Sequence, residues 1–223
     1  SCEEDAGSGL GPASESVGPG DEDAGSGLGP ASDSLGSTEL VTRICSIDVC
    51  EVFSPPRVGI AARRYGVTPG DAMDLTTGWD LNLDSHRKLA EEYIDKHLPL
   101  VVIGSPPCTP FSQLQSLNPR TEKRERKWKE GIEHMRFMVK LYQKQVDQGR
   151  VFLHEQPAHA KSWMIPEVRI MMMESGVTVV EADQCMYGLK TKGKHNNTEV
   201  PAKKPTKFMT NSRALGQELS KKC

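Results

Sequence analysis

With 223 residues, 36% of them apolar and 5% aromatic, the chain can bury one ordinary domain core, and it has neither a signal peptide nor an apolar run long enough to cross a membrane. Its 28 basic and 30 acidic residues nearly cancel, but the first 40 residues hold nine acids and no Lys or Arg, which leaves residues 41–223 at +7. The six cysteines form no CxxC pair and no zinc-type spacing with histidine, which argues against a disulfide scaffold or zinc module and for a reducing, intracellular compartment.

Residues 1–40 read as a disordered linker. EDAGSGLGPAS occurs at Glu4–Ser14 and again at Glu22–Ser32, and two Gly/Ser/Pro/Asp-rich copies cannot bury enough apolar surface to offset backbone ordering. The remainder, 41–223, alternates extended and helical patterns. ICSIDVCEVF (44–53) is β-prone, RVGIAARRYG (57–66) predicts a helix closed by Gly66, and DAMDL (71–75) is a short extended piece. A helix is expected over 84–97 with Asp84 or Ser85 as its N-cap, followed by the continuous apolar strand PLVVIG (99–104).

A long helix follows, in which Trp128, Ile132, Met135, Val139, Tyr142 and Val146 recur at core spacing. VFLHE (151–155) and VTVVEAD (177–183) are expected strands, with a helix starting at Pro166 between them. Met171, Met172 and Met173 read as fillers of core gaps, and KKPTKFMTNS (203–212) as a basic turn leading to a short strand. Such alternation predicts a doubly wound, mostly parallel three-layer α/β sheet, whose ligands bind beyond the carboxyl ends of the strands. Phe53, Ser54, Asp74, Cys108 and Glu155 all fall at such ends.

The stretch GSPPCTPFS (104–112) sets a cysteine behind two prolines at a strand exit, so Cys108 projects from a stiff turn. That stretch resembles the Gly-Gly-Pro-Pro-Cys-Gln-Gly-Phe-Ser segment of the DNA cytosine-5 methyltransferases at Gly104, Pro106, Pro107, Cys108, Phe111 and Ser112. EVFSPPR (51–57) is similar to the family's cofactor loop, Asp-Leu-Phe-Ser-Gly-x-Gly, at Phe53 and Ser54, and FLHEQP (152–157) to its Glu-Asn-Val strand at Glu155.

The resemblance implies a Rossmann-like fold using S-adenosyl-L-methionine, with Cys108 as nucleophile and Glu155 as the carboxyl group at the cytosine ring. It also implies Phe53, Ser54, Asp74 and Pro106 as cofactor-binding residues, a nucleic-acid partner (DNA) and a nuclear location; Asp74 reads equally as a turn or cap residue in DLTTG, and the five-residue spacing of His154 and His159 in a loop gives no metal site. Pro55, Pro56 and Arg57 stand where the family has Gly-x-Gly, and one family strand is missing or compressed between Asp74 and Cys108. The segment DQCMYGLKTKGKHNN (183–197) lacks a Gln-x-Arg-x-Arg motif, so the C-terminal part reads as incomplete. Lys190, Lys192, Lys194, Lys203, Lys204 and Lys207 are candidate phosphate contacts or a solvated basic loop. The chain also resembles stretches of retroelement polyproteins, which leaves a second reading open: a catalytically inactive methyltransferase-like interaction module.

Overall fold

The computed structural model of the protein describes residues 47–113, 115, 119, 121–193 and 198–223. The expected disorder of residues 1–40, the start of the first strand at 44–46 and the role of Lys194 lie outside the described residues.

Five strands run in one direction and one against them. In chain order they are β1 (Val49–Val52), β2 (Pro69–Met73), β3 (Val101–Gly104), β4 (Val151–Pro157), β5 (Thr178–Asp183) and, after a small hairpin of β6 (Lys190–Lys192) and β7 (Glu199–Pro201), β8 (Pro205–Thr210). The sheet order is β2-β1-β3-β4-β8-β5. β2, β1, β3 and β4 pair in parallel, while β8 is antiparallel to both β4 and β5. The expected mostly parallel sheet is therefore present. KKPTKFMTNS supplies an interior strand of that sheet: β8 is held by Thr210 Oγ1, which donates to Phe152 O, and by Asn211, which bonds Phe152 N and Arg150 O.

Helices cover both faces. Cys50 and Val52 point into the cluster formed by Ala90 and Ile94 of α2 (Asp84–His97), Met135, Met138, Leu141 and Tyr142 of α3 (Glu122–Asp147), and Val168 and Met171 of α4 (Pro166–Met172). Alternation along the strand turns Glu51 to the other face, where it meets Gly59 of α1 (Val58–Ala62). On that second face α5 (Arg213–Glu218) brings Gly216 against Thr178, Val180 and Thr210. Between β2 and β3 lie only a 3₁₀ turn (Leu75–Thr77) and α2, with no strand.

Several local expectations are corrected. The helix over 57–66 is α for five residues, then 3₁₀, and ends as expected on Gly66 at φ 75°. Neither Asp84 nor Ser85 caps α2; the N-cap is Leu83 without a side-chain bond, and Asp84, inside the first turn, pairs with Lys88 at 2.9 Å. In α3 the expected stripe does face the core, with Met135 and Tyr142 buried and Trp128, Ile132, Val139 and Val146 packed against it, but it is not the whole buried face. Gly131, His134, Phe137, Met138, Leu141 and Gln145 join the stripe, because a helix lying on a sheet and beside α4 buries more than one narrow stripe. Of the three methionines Met171 is in the core and Met173 is exposed.

Candidate active site

From β1 the chain moves to β2 on one side and then crosses to β3 on the other. The carboxyl ends of β1 and β3 therefore flank the point where the order reverses, the place where such sheets open a crevice. Two loops meet there, Phe53–Arg57 and Ser105–Ser112, and Ser105 N donates to Val52 O at 3.0 Å between them.

The turn carrying Cys108 is fixed at both ends. Pro106 is buried, and its carbonyl accepts a hydrogen bond from the side-chain amide of Gln156 on β4; Ser162 Oγ in turn donates to Gln156 Oε1 at 3.2 Å. On the far side Phe111 is fully buried and meets Trp128 edge-on at 5.1 Å. A Cβ on Gly131 would come within 2.9 Å of its ring, so α3 offers glycine where that ring docks. Cys108 itself is half-buried, and its carbonyl accepts from Phe111 N to start the 3₁₀ turn Thr109–Phe111.

This turn divides two cavities. One, of about 240 Å³, is lined by Cys108, Ser112, Gln113, Pro157, His159 and Ala160. The other, of about 560 Å³, takes Pro107, Thr109 and Pro110 from the same turn, with Asn82, Gly131 and His134 and the basic Lys123, Arg124 and Lys127 of the first turns of α3. His134 Nε2 lies 3.1 Å from Asn82 Oδ1, its Nδ1 is buried without a partner among the described residues, and burial holds its pKa below the usual value.

The Phe53 ring packs on His134 with centroids 4.7 Å apart. Phe53 takes the positive φ of its turn, 58°, a conformation costly for a bulky side chain. Ser54 Oγ lies within bonding distance of Glu51 Oε2 (3.1 Å) and Pro55 O (2.9 Å), while Glu51 Oε1 accepts from Gly59 N at 2.8 Å. One free amide in the first turn of α1 is thus met by the protein's own carboxylate. Asp74 closes β2 as a capping residue: its Oδ1 accepts from Thr76 N and Thr76 Oγ1, and Thr77 Oγ1 accepts from its amide.

Glu155 and Gln156, adjacent on β4, face opposite sides of the sheet. Gln156 points to the α3 face, whereas Glu155 is met by Gln184 Nε2 at 3.4 Å and Lys204 Nζ at 3.9 Å and is not part of the lining around Cys108. The structure therefore brings Cys108 together with His159, and Phe53 with His134, at one edge of the sheet, and leaves Glu155 at the neighbouring strand end engaged with other partners. Sequence reasoning missed Gln156, Asn82 and His134. The only sequence signal for Gln156 was its place in FLHEQP, and none marks Asn82 or His134, which are 52 residues apart.

No protein-family model matches this chain, and no curated protein matches it significantly.

Proposed function

We propose that the chain methylates cytosine in nucleic acid at C5, with Cys108 as nucleophile and S-adenosyl-L-methionine as methyl donor. One observation carries the reading: a single anchored turn at the switch point presents Cys108 to a small cavity on one side and Pro107, Thr109 and Pro110 to a larger one on the other. Two substrates of unequal size, a flipped base and a nucleoside cofactor, need such a pair of spaces.

The larger cavity fits the cofactor in volume, which lies within the roughly 300–1,000 Å³ of small-molecule sites, and offers it the Nδ1 of His134, which has no partner among the described residues. Asn82 and His134 line that cavity and would hold the cofactor; of the residues the family resemblance implies, Phe53 reaches the cavity only through its packing on His134, and Ser54, Asp74 and Pro106 are not in its lining. When bound, the cofactor supplies an electrophilic methyl group. Cys108 as thiolate forms a bond from Sγ to C6 of the base, which makes C5 nucleophilic; once C5 is methylated, loss of the C5 proton to solvent expels the thiolate and restores the ring. The carboxyl group of Glu155 contacts N3 and shares a proton with it as negative charge builds there, for which it must exchange Gln184 and Lys204 for the base.

The test is transfer of labelled methyl from S-adenosylmethionine to a cytosine-containing oligonucleotide by the full chain, alongside calorimetry with S-adenosylhomocysteine. Cys108→Ser should abolish transfer while the fold and the cofactor affinity remain. Absence of cofactor binding up to millimolar concentration would sink the reading. In its place would stand the second one, an inactive methyltransferase-like interaction module within a longer polyprotein. One observation favours that second reading: Glu51 fills the turn after β1 by accepting from Gly59 N, where a cofactor loop needs open backbone.

A further inference from the structure

The hairpin β6–β7 rises from the same edge of the sheet as the Cys108 turn. Its root is Gln184 and Lys204, joined by Gln184 N donating to Lys204 O at 3.2 Å, with Ala202 N donating to Leu189 O at 2.9 Å above it. Ala158 N, beside His159 and the Cys108 cavity, donates to Pro205 O at 3.0 Å, so that cavity wall and the hairpin root are one bonded unit.

All six residues of the two strands are exposed. A two-stranded hairpin with neither face covered gains little from folding on its own. Its composition is one-sided: between 190 and 207 the described residues hold Lys190, Lys192, Lys203, Lys204 and Lys207 against the single carboxylate of Glu199. Lys190 and Lys192 share a face, since they are two apart on β6. The bonds that Lys190 and Lys204 make are exchangeable. Lys190–Glu199 (3.4 Å) and Lys204–Glu155 (3.9 Å) are long, with the lysine ends half-exposed, and such pairs contribute little, while Lys203 lies 3.6 Å from the buried carboxylate of Asp183.

We propose that this hairpin is a nucleic-acid-binding arm that grips the phosphodiester backbone with Lys190 and Lys192, and that a phosphate drawing Lys204 away frees Glu155 at the moment substrate is bound. The inference rests on the cytosine-methyltransferase reading for the role of Glu155, but the arm itself stands on exposure, charge and position. Both residues that hold Glu155, Gln184 and Lys204, are the two ends of the hairpin. A backbone contact on the arm therefore acts on the carboxylate through only its root.

The experiment is fluorescence anisotropy of the full chain with a labelled 20-mer as duplex DNA, single-stranded DNA and RNA over a series of salt concentrations. Lys190→Gln/Lys192→Gln should weaken binding about tenfold at 0.1 M salt and flatten the dependence of log K on log[salt] by about 2, since each lost phosphate contact removes roughly 0.9. S-adenosylhomocysteine affinity and thermal midpoint should not move. The ¹³C carboxyl resonance of Glu155 should shift when nucleic acid is added to the wild type and not in the double variant. Unchanged affinity and salt slope overturn the arm, and an unresponsive Glu155 resonance overturns its coupling to the site. Lysine-dependent nucleic-acid binding without cofactor binding would remove the methyltransferase reading and leave the arm. Cofactor binding with lysine-independent nucleic-acid affinity would do the reverse.

Discussion

The side-chain amide of Gln156 donates to the carbonyl of Pro106, so the strand β4 holds the turn that carries Cys108. A side chain on a loop is held in one position only if the loop has one conformation, and here the restraint comes from a neighbouring strand in addition to the prolines.

Gln156→Leu leaves the Pro106 carbonyl and the Ser162 hydroxyl without their buried partner. Stability should fall by about 1–3 kcal/mol, measured by urea denaturation, and Cys108 should be alkylated faster than in the wild type as its turn loosens. An unchanged alkylation rate would mean that the prolines alone fix the turn.

Gly104 ends β3 where a Cβ would lie 2.0 Å from Tyr142 Oη and 2.4 Å from Met138 Cε. Met138 can swing aside, but the Tyr142 hydroxyl is held 2.8 Å from His154 Nδ1 inside the core. Gly104→Ala should cost about 1–3 kcal/mol, and Tyr142→Phe should relieve part of that cost. A double-mutant cycle with zero coupling between the two would contradict the packing described.

Burial lowers the pKa of His154 from its ordinary 6.5 to about 3, and moves His134 in the same direction. Below pH 6.5 the unfolded chain takes up protons that the native histidines refuse. Stability is therefore complete above that pH and declines as pH falls towards 3, by at most about 1.4 kcal/mol per unit for each such group. Burial also raises the Cys50 thiol from 9.0 to about 12, so that above pH 9 the unfolded chain loses a proton the native one keeps, and stability falls again. The urea midpoint should peak between these limits, and His154→Gln should flatten the acid side.

The same burial separates two thiols. Cys50 is fully buried with its Sγ donating to Asp71 O at 3.2 Å, whereas Cys108 is half-exposed on a cavity wall. Iodoacetamide at pH 8 should modify Cys108 in the native protein and spare Cys50, as peptide mapping would read out; labelling of Cys50 at the Cys108 rate would show that the core opens locally.

The amino-acid sequence by itself determined the strands β1 to β5 and β8, the helices α1 to α4 in outline and the stiff turn, but neither the β6–β7 hairpin nor α5. Apolar runs such as LPLVVI, the helix start at Pro166, the αL stop at Gly66 and the prolines around Cys108 act through neighbours a few residues away, and local chemistry of that kind is readable along the chain. The tertiary structure alone decided which way Glu155 and Gln156 face, that β8 enters the sheet between β4 and β5, and that Asn82, His134 and Phe53 converge. Successive strand residues look to opposite faces, so a single step of register exchanges the roles of Glu155 and Gln156. That register is set by pairing with residues about 50 positions away in sequence, through energies that belong to the packed sheet and to no local segment of it.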